Sequence, residues 1–350
     1  MEKNIIDIPL VKAKEKDEIK YYYSFGNIIK GNLNNKNEKK MQDYLKKKNN
    51  FLIKNIYKYN FSILVLIIIY IYIPAFLSKN KIFRKLDFSS EITLTIKGSG
   101  TQKLLSDSFS PAPENIIING NIVSYGVKEI EINSGQEETN VTLRWTSELT
   151  TCQRMFTSLN NIIHVDLTGF VPLNIEDMSF MFAECKNIQT IEIDNFNSPN
   201  LKDMNNMFNE CQSLKSIDFK NIDTQQVTSM ENMFLDCLSL TSIGLSNFNT
   251  RSVTNFKSMF CNCPELTSLD ISNFYTDSAV YMNGMFKLCI KLKYLNIDNF
   301  NTNNVEESED LFYECNELIS LDASKFNNMA KNKNMKKMFL GCRTLKFRFK

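Results

Sequence analysis

The stretch VTSMENMFLDCLSLTSIGLSNFNT, residues 227–250, contains a pattern that the chain repeats on both sides. Its Met-Phe pair recurs at steps of 26 residues. The pairs begin at Met155, Met181, Met207, Met233, Met259 and Met285, and the series continues with Leu311 and, after a step of 27 residues, Met338. A fixed period of this length is typical of a solenoid, in which each repeat forms one coil.

Apolar residues within one repeat follow two different spacings. Met230, Met233 and Cys237 are three or four residues apart, which is typical of one face of a helix. Ile243 and Leu245 are two residues apart, as in a strand with one buried face. The sequence therefore predicts a repeat solenoid of leucine-rich-repeat-like type over residues 152–350. Each of its eight units would contain a short parallel β-strand and a short helical segment.

Each position in the repeat becomes a column when the coils stack. Cysteine forms one such column: Cys185, Cys211, Cys237, Cys263, Cys289, Cys315 and Cys342. Free Cys is a small and commonly buried residue, so we interpret the column as buried thiols. A disulfide ladder or a metal site is the alternative. Columns of Phe and Asn near the end of each strand are interpreted as structural.

The position between the two buried strand residues faces solvent and is rich in carboxylates. This column reads Asp166, Glu192, Asp218, Gly244, Asp270, Asn296 and Asp322. Stacked carboxylates repel each other. They indicate either a binding face for a cation or basic partner, with Ca²⁺ as one hypothesis, or a solvated face bonded within local turns. The polar members of this column, together with the neighbouring Tyr294, form the candidate binding face.

These motifs resemble the BspA-type leucine-rich repeat, whose theme is VT-x-M-x-x-MF-x-x-C-x-x-L-x-x-L-x-L-S-x-F. The units at 227–248 and 253–274 match it nearly throughout. The resemblance covers residues 175–350 strongly and 150–174 more weakly, because Leu159 stands where Cys is expected. It implies a surface-exposed binding or adhesion protein, with no catalytic residues to transfer.

The N-terminal quarter of the chain has a different composition. Residues 1–60 contain 14 Lys against 7 Asp or Glu, which predicts a flexible basic tail. The charge-free run at 61–77 predicts a single transmembrane helix over residues 61–78. Five Lys precede the span and four basic residues follow it. This weak asymmetry, with the resemblance, favours a plasma-membrane protein with a cytoplasmic N-terminus and an external solenoid.

Residues 79–151 join the predicted span to the repeats. Alternating stretches such as EITLTIKG and NVTLRW predict a β-rich linker and a small β cap, with Trp145 buried. Asn140-Val141-Thr142 is a possible glycosylation site at Asn140. At the other end, charges alternate with apolar residues in LKFRFK. They would guard an open edge strand, or the edge would support homo-association.

Enzymatic motifs are missing from the sequence. His164 is its only histidine, and neither a Gly-rich phosphate loop nor G-x-S-x-G occurs. A Cys152 nucleophile would need His164 as its base. We therefore expect no catalysis and no cofactor. The near-zero net charge of +2 and the acidic repeats argue against nucleic acid. The expected function is binding of an unknown protein or surface, and the alternative is a membrane-tethered intracellular scaffold.

Overall fold

The computed structural model describes residues 10–15, 18–23, 90–193 and 198–322, except 134 and 136, together with 324, 326 and 337–348. The chain divides into two compact units, Met1–Asp87 and Phe88–Lys350. The first unit contains an antiparallel hairpin of β1 (Leu10–Glu15) and β2 (Glu18–Tyr23).

This hairpin lies within the segment that was expected to be a flexible tail. Apolar residues alternate with charged ones in its first strand, and three tyrosines end the second, as is typical of β-structure. The rest of the tail and the span expected at 61–78 lie outside the described residues. Within the described part of the chain, no helix is long and apolar enough to cross a bilayer.

The second unit begins with six strands that precede the repeats. They are β3 (Ser90–Lys97), β4 (Gly100–Lys103), β5 (Asn115–Ile118), β6 (Asn121–Ser124), β7 (Glu129–Ile132) and β8 (Glu138–Trp145). Buried residues alternate with more exposed ones along these strands, most regularly in β3 and β8. Trp145 is fully buried, as expected, and its indole N–H donates to the carbonyl of Pro111 at 3.2 Å.

Each repeat then contributes one short strand. These are β9 (Ile162–Asp166), β10 (Thr190–Glu192), β11 (Ser216–Asp218), β12 (Ser242–Gly244), β13 (Ser268–Leu269), β14 (Tyr294–Leu295), β15 (Ser320–Asp322) and β16 (Lys346–Arg348). Strands β9 to β12 pair in parallel, and so do β13 to β16. The prediction of a solenoid with stacked parallel strands is therefore confirmed.

The cap and the first coils belong to one sheet. Its strand order is β12-β11-β10-β9-β3-β8-β5-β6, with β3 antiparallel to both β8 and β9. A second sheet contains β13 to β16, and β4 pairs with β7. Because β3 satisfies the free edge of β9, the first coil of the solenoid is covered by the cap.

The helical segments expected in each repeat are not helices, and this prediction is wrong. In the described residues the Met-Phe segments form successive turns, and no α-helix is present. The N–H of Phe182 donates to the carbonyl of Met207 in the next coil at 2.9 Å, and the N–H of Phe208 donates to that of Met233 at 2.9 Å. Helical bonding would instead join residues four apart within one segment.

Left-handed backbone angles explain the misleading spacing. In one repeat Asn232 has φ of 55° and Asp236 has φ of 60°, immediately before Met233 and Cys237. The same two positions are left-handed in six other repeats: Arg154, Ser158, Phe180, Glu184, Asn206, Glu210, Ser258, Asn262, Gly284, Leu288, Asp310 and Glu314. In the last repeat Gly341, immediately before Cys342, is left-handed as well. These bends return the side chains to the interior every three or four residues, which is also the spacing of a helix face.

Stacked identical side chains fill the interior. The Phe of the Met-Phe pair forms a continuous stack of parallel rings, with neighbouring centroids 5.3–5.8 Å apart. A second Phe column near the strand end includes Phe248 and Phe274, both buried. The Asn that precedes it bonds to the previous coil, since Nδ2 of Asn273 donates to the carbonyl of Leu245 at 3.0 Å. These columns are structural, as expected.

Candidate functional site

The exposed side of the parallel strands, which we call the strand face, continues onto the cap. Thr95 lies opposite Asn140 on one side and opposite His164 on the other, and His164 lies opposite Thr190. We call the resulting line the hydroxyl row: Asn140, Thr95, His164, Thr190, Ser216 and Ser242. It therefore crosses six strands of one sheet.

Hydrogen bonds link neighbours along the hydroxyl row. The Thr95 hydroxyl donates to Oδ1 of Asn140 at 2.8 Å, and Nδ1 of His164 lies 2.6 Å from the Thr190 hydroxyl. Nε2 of His164 also lies 3.9 Å from Glu192, which is mostly exposed. The sole histidine is therefore part of a polar surface, and it contacts a hydroxyl and a carboxylate of the next coil.

A second line of side chains, the acidic row, runs beside the first. It contains Thr142, Thr93, Asp166, Glu192, Asp218 and Gly244. The hydroxyls of Thr93 and Thr142 are hydrogen-bonded at 2.9 Å, so the cap end of this row is neutral. Negative charge is added only where the row reaches the solenoid. The second sheet continues the column with Asp270, Asn296 and Asp322.

Most polar residues of the carboxylate column, the exposed column from Asp166 to Asp322, accept hydrogen bonds within their own turns. Oδ1 of Asp166 accepts the N–H of the residue two positions later at 2.8 Å. Asp270, Asn296 and Asp322 accept equivalent bonds at 3.0, 2.9 and 3.0 Å. The amide and hydroxyl of Ser272 hold the pKa of the Asp270 carboxyl below its usual range. This is the local turn bonding that sequence reasoning offered as one interpretation of the column.

Two shallow grooves lie on the strand face. The larger, about 690 Å³, crosses β10 to β12 and is lined by Glu192, Asp218 and the hydroxyls of Thr190, Ser216 and Ser242. At its end, a Cβ on Gly244 would clash with the carboxylate of Asp218, so the glycine leaves room for that side chain. The smaller groove, about 290 Å³, crosses β14 and β15 and includes Tyr294, Asn296 and Asp322.

The candidate residues are thus brought together in two groups. Glu192 and Asp218 line the first groove, and Tyr294, Asn296 and Asp322 line the second. Asp166 lies beside the cap, and Asp270, which directly follows β13, lies between the two grooves. Among the residues that the structure describes, no three His, Cys, Asp or Glu side chains come together as a possible metal site.

Sequence reasoning missed the contribution of the cap to this surface. Thr93 and Thr95 were considered only as part of a predicted strand, and Asn140 and Thr142 mainly as parts of a possible glycosylation site. The alternation in EITLTIK indicates that the threonines share one face of β3. It does not indicate that β3 lies beside β9, because that pairing joins segments far apart in the chain.

The cysteines are placed for packing and not for reaction. Every cysteine is a free thiol, and all are buried except the half-buried Cys342. The thiol of Cys237 donates to the carbonyl of Phe208 at 3.2 Å. Burial raises the pKa of the Cys185 thiol to about 12 and also raises that of the fully buried Cys152. The interpretation of the column as buried thiols is confirmed.

Comparison with known proteins identifies a family for the repeats. The model of DUF285, described as "Mycoplasma protein of unknown function", matches residues 150–244 and 237–349. A search of curated proteins returned no match. The two matched segments together cover more than half of the chain and coincide with the parallel-strand solenoid. The chain therefore belongs to the DUF285 family.

Proposed function

We propose that this protein is a non-catalytic binding protein, anchored in the plasma membrane by residues 61–78, that displays its solenoid outside the cell. The observation that supports this function best is the strand face, where polar rows run without interruption from the cap onto the solenoid. A polar and shallow surface of this extent suits contact with a large partner. The resemblance to BspA-type surface proteins supports the same proposal.

The surroundings of Cys152 and His164, the pair considered for catalysis, also favour binding over catalysis. Cys152 is fully buried, and burial raises the pKa of its thiol, so thiolate is scarce. His164 contacts Thr190 and lies near Glu192. These contacts are with a hydroxyl and a carboxylate of the next coil, whereas a catalytic base should lie within hydrogen-bond reach of its nucleophile. The proposed role therefore assigns no cofactor and no reaction.

Topology is tested on intact cells that express the full chain with a C-terminal tag. We expect antibody and protease to reach the tag before the cells are permeabilised. A cytoplasmic tag fused to the N-terminus serves as the matched control and should become accessible only afterwards. If the C-terminal tag is also reached only after permeabilisation, external display is excluded, and an intracellular scaffold replaces it.

The binding role is tested separately by reversing charge on the strand face. In the variant Glu192→Lys with Asp218→Lys, two exposed carboxylates of the larger groove become cations. We expect attachment of cells that express this variant to their surface or partner to fall sharply. Charge reversal at Glu176, an exposed residue outside the strands, is the control. Equal attachment by both variants would contradict a binding role for this face.

A further inference from the structure

We propose that the groove around Tyr294 binds an extended neutral glycan, a linear 1,4-linked polysaccharide laid across strands β13 to β15. The proposal rests on the binding role proposed above and adds a ligand class to the same face. Three properties of the groove support it: an open aromatic ring, hydrogen-bonding groups beside that ring, and a regular spacing of polar side chains along the solenoid.

The aromatic ring belongs to Tyr294, a residue that is 62% exposed. Its partners on the neighbouring strands are Ser268 and Ser320, which are small. A large ring between two short side chains offers apolar area without neighbours that cover it. Such a ring can pack against the C–H face of a sugar, while the phenol group hydrogen-bonds at its edge.

Hydrogen-bonding groups line the groove next to the ring. Oδ1 of Asn296 accepts the N–H of Asp298 at 2.9 Å, which fixes the amide group. Within the described part of the chain, its Nδ2 has no hydrogen-bond partner and can donate to a ligand. Ser320 adds a hydroxyl. A few fixed polar groups beside an apolar contact are typical of a small-molecule subsite.

The spacing of the strands suits a polymer. Neighbouring strands lie about 4.8 Å apart, and an extended 1,4-linked glycan advances by a closely similar length for each sugar. Successive sugars would therefore meet successive strands. The strands on either side of Tyr294 offer a serine hydroxyl at the equivalent position, Ser268 before the aromatic strand and Ser320 after it.

The charges on this part of the face favour a neutral ligand. Asp270, Asp298 and Asp322 would repel sulfated or uronic-acid polymers, and the exposed Lys346, opposite Ser320 on β16, offsets only part of this negative charge. A basic peptide is the competing occupant. It is less favoured because Asp270 and Asp322 each already accept an N–H bond from their own turns, at 3.0 Å.

The test measures binding of cellohexaose and of hexa-N-acetylchitohexaose to the purified full-length chain by calorimetry. We expect at least one of these two glycans to bind and a heparin hexasaccharide not to bind. Tyr294→Ala should weaken binding about tenfold, because the ring supplies the packing surface, whereas Tyr294→Phe should retain most of it. Tyr281→Ala is the matched control, since Tyr281 is an exposed tyrosine on the turns of the Met-Phe segments.

The outcomes separate this proposal from the proposed function. If neither glycan binds, or if Tyr294→Ala and Tyr281→Ala behave alike, the glycan proposal fails. The binding role then still stands if the Glu192 and Asp218 charge reversal abolishes cell attachment. Preferential binding of hexalysine that depends on Tyr294 would likewise overturn the glycan proposal, and it would identify a basic peptide as the ligand.

Discussion

The thiol of Cys185 donates a hydrogen bond to the carbonyl of Phe156, 2.9 Å away and one repeat earlier in the chain. The same bond recurs down the column, for example from Cys289 to Phe260 at 3.0 Å. Cysteine is small enough to stack at every coil and still carries a donor for a carbonyl that the turns leave inside. This bond explains why a Met-Phe pair is followed so regularly by cysteine.

The buried thiols predict a loss of stability at alkaline pH. Burial raises the pKa of Cys185 and Cys289 from 9.0 to about 12. Because the folded pKa is the higher one, the unfolded chain releases these protons first. Between pH 9 and about 12, each such thiol should lower the free energy of unfolding by ~1.4 kcal/mol per pH unit. Urea unfolding at several pH values measures this slope.

A variant with one thiol fewer separates this effect from the titration of lysines and tyrosines. Cys185→Ala should lower stability at neutral pH, but its slope above pH 9 should be shallower by one proton, so the difference from the wild type should shrink as the pH rises. Cys342 provides a comparison, because burial raises its pKa only to about 11. An unchanged slope in the Cys185 variant would mean that the thiol is accessible in the folded protein.

The inward Phe column predicts a sharp contrast with its outward neighbour. Phe248 is 3% exposed, and its ring centroid lies 5.2 Å from that of Phe219 and 6.3 Å from that of Phe274. Phe248→Ala should therefore cost ~3–5 kcal/mol in unfolding free energy. Ser246→Ala, on the exposed side of the same repeat, should be close to neutral. Similar effects in denaturant unfolding would show that the inward and outward positions are misassigned.

The strands and columns could be predicted from the sequence because they depend on a strict period and on local alternation. The turns were predicted as helices because Met230, Met233 and Cys237 have the spacing of a helix face. A better signal was present, since Asn206, Asn232 and Gly284 occupy the position before Met, and Asn and Gly tolerate left-handed angles. Phe180 and Leu288, at such positions elsewhere, obscured it.

The site was only partly predictable for a different reason. The acidic column follows from the repeat register, and it was identified without the structure. The extension onto the cap depends on the pairing of β3 with β9, which brings Thr95 beside His164. That pairing joins segments about seventy residues apart, and no local pattern specifies it.

Left-handed angles predict the effect of adding a side chain at Gly284. This residue has φ of 57°, and a Cβ there would lie 3.5 Å from that of Lys287, an ordinary contact. Strain and not space therefore limits substitution. Gly284→Ala should cost ~1–2 kcal/mol, while Gly284→Asn should cost less, because asparagine adopts the same angles at Asn206 and Asn232. Thermal melts of both variants measure the two losses of stability, and equal losses would argue against strain.

The shared sheet predicts that cap and solenoid unfold together. Strand β3 pairs with β8 on one side and with β9 on the other. Trp145 at the end of β8 is the only tryptophan and is fully buried, so its fluorescence reports on the cap. We expect its denaturation midpoint to coincide with that of far-ultraviolet circular dichroism. Separate midpoints would show that the cap unfolds independently of the repeats.

The position of Asn140 on the hydroxyl row predicts an effect of glycosylation on binding. Asn140 is exposed and accepts a bond from Thr95 within the row. When the chain is produced through a glycosylating secretory pathway, a glycan on Asn140 would cover part of the strand face. Asn140→Gln should then abolish the endoglycosidase-sensitive mobility shift and strengthen attachment. A mobility shift without any change in attachment would place the contact elsewhere on the molecule.

The hydrogen bonds between neighbouring Met-Phe segments have an evolutionary consequence. Since each coil bonds mainly to the coil before it and the coil after it, recombination between repeats can add or remove a coil while every column stays in register, provided that the 26-residue period is kept. The length of the solenoid can thus change in one genetic step, separately from the identity of its surface residues. Selection can therefore adjust the length of the solenoid without changing the side chains of the strand face.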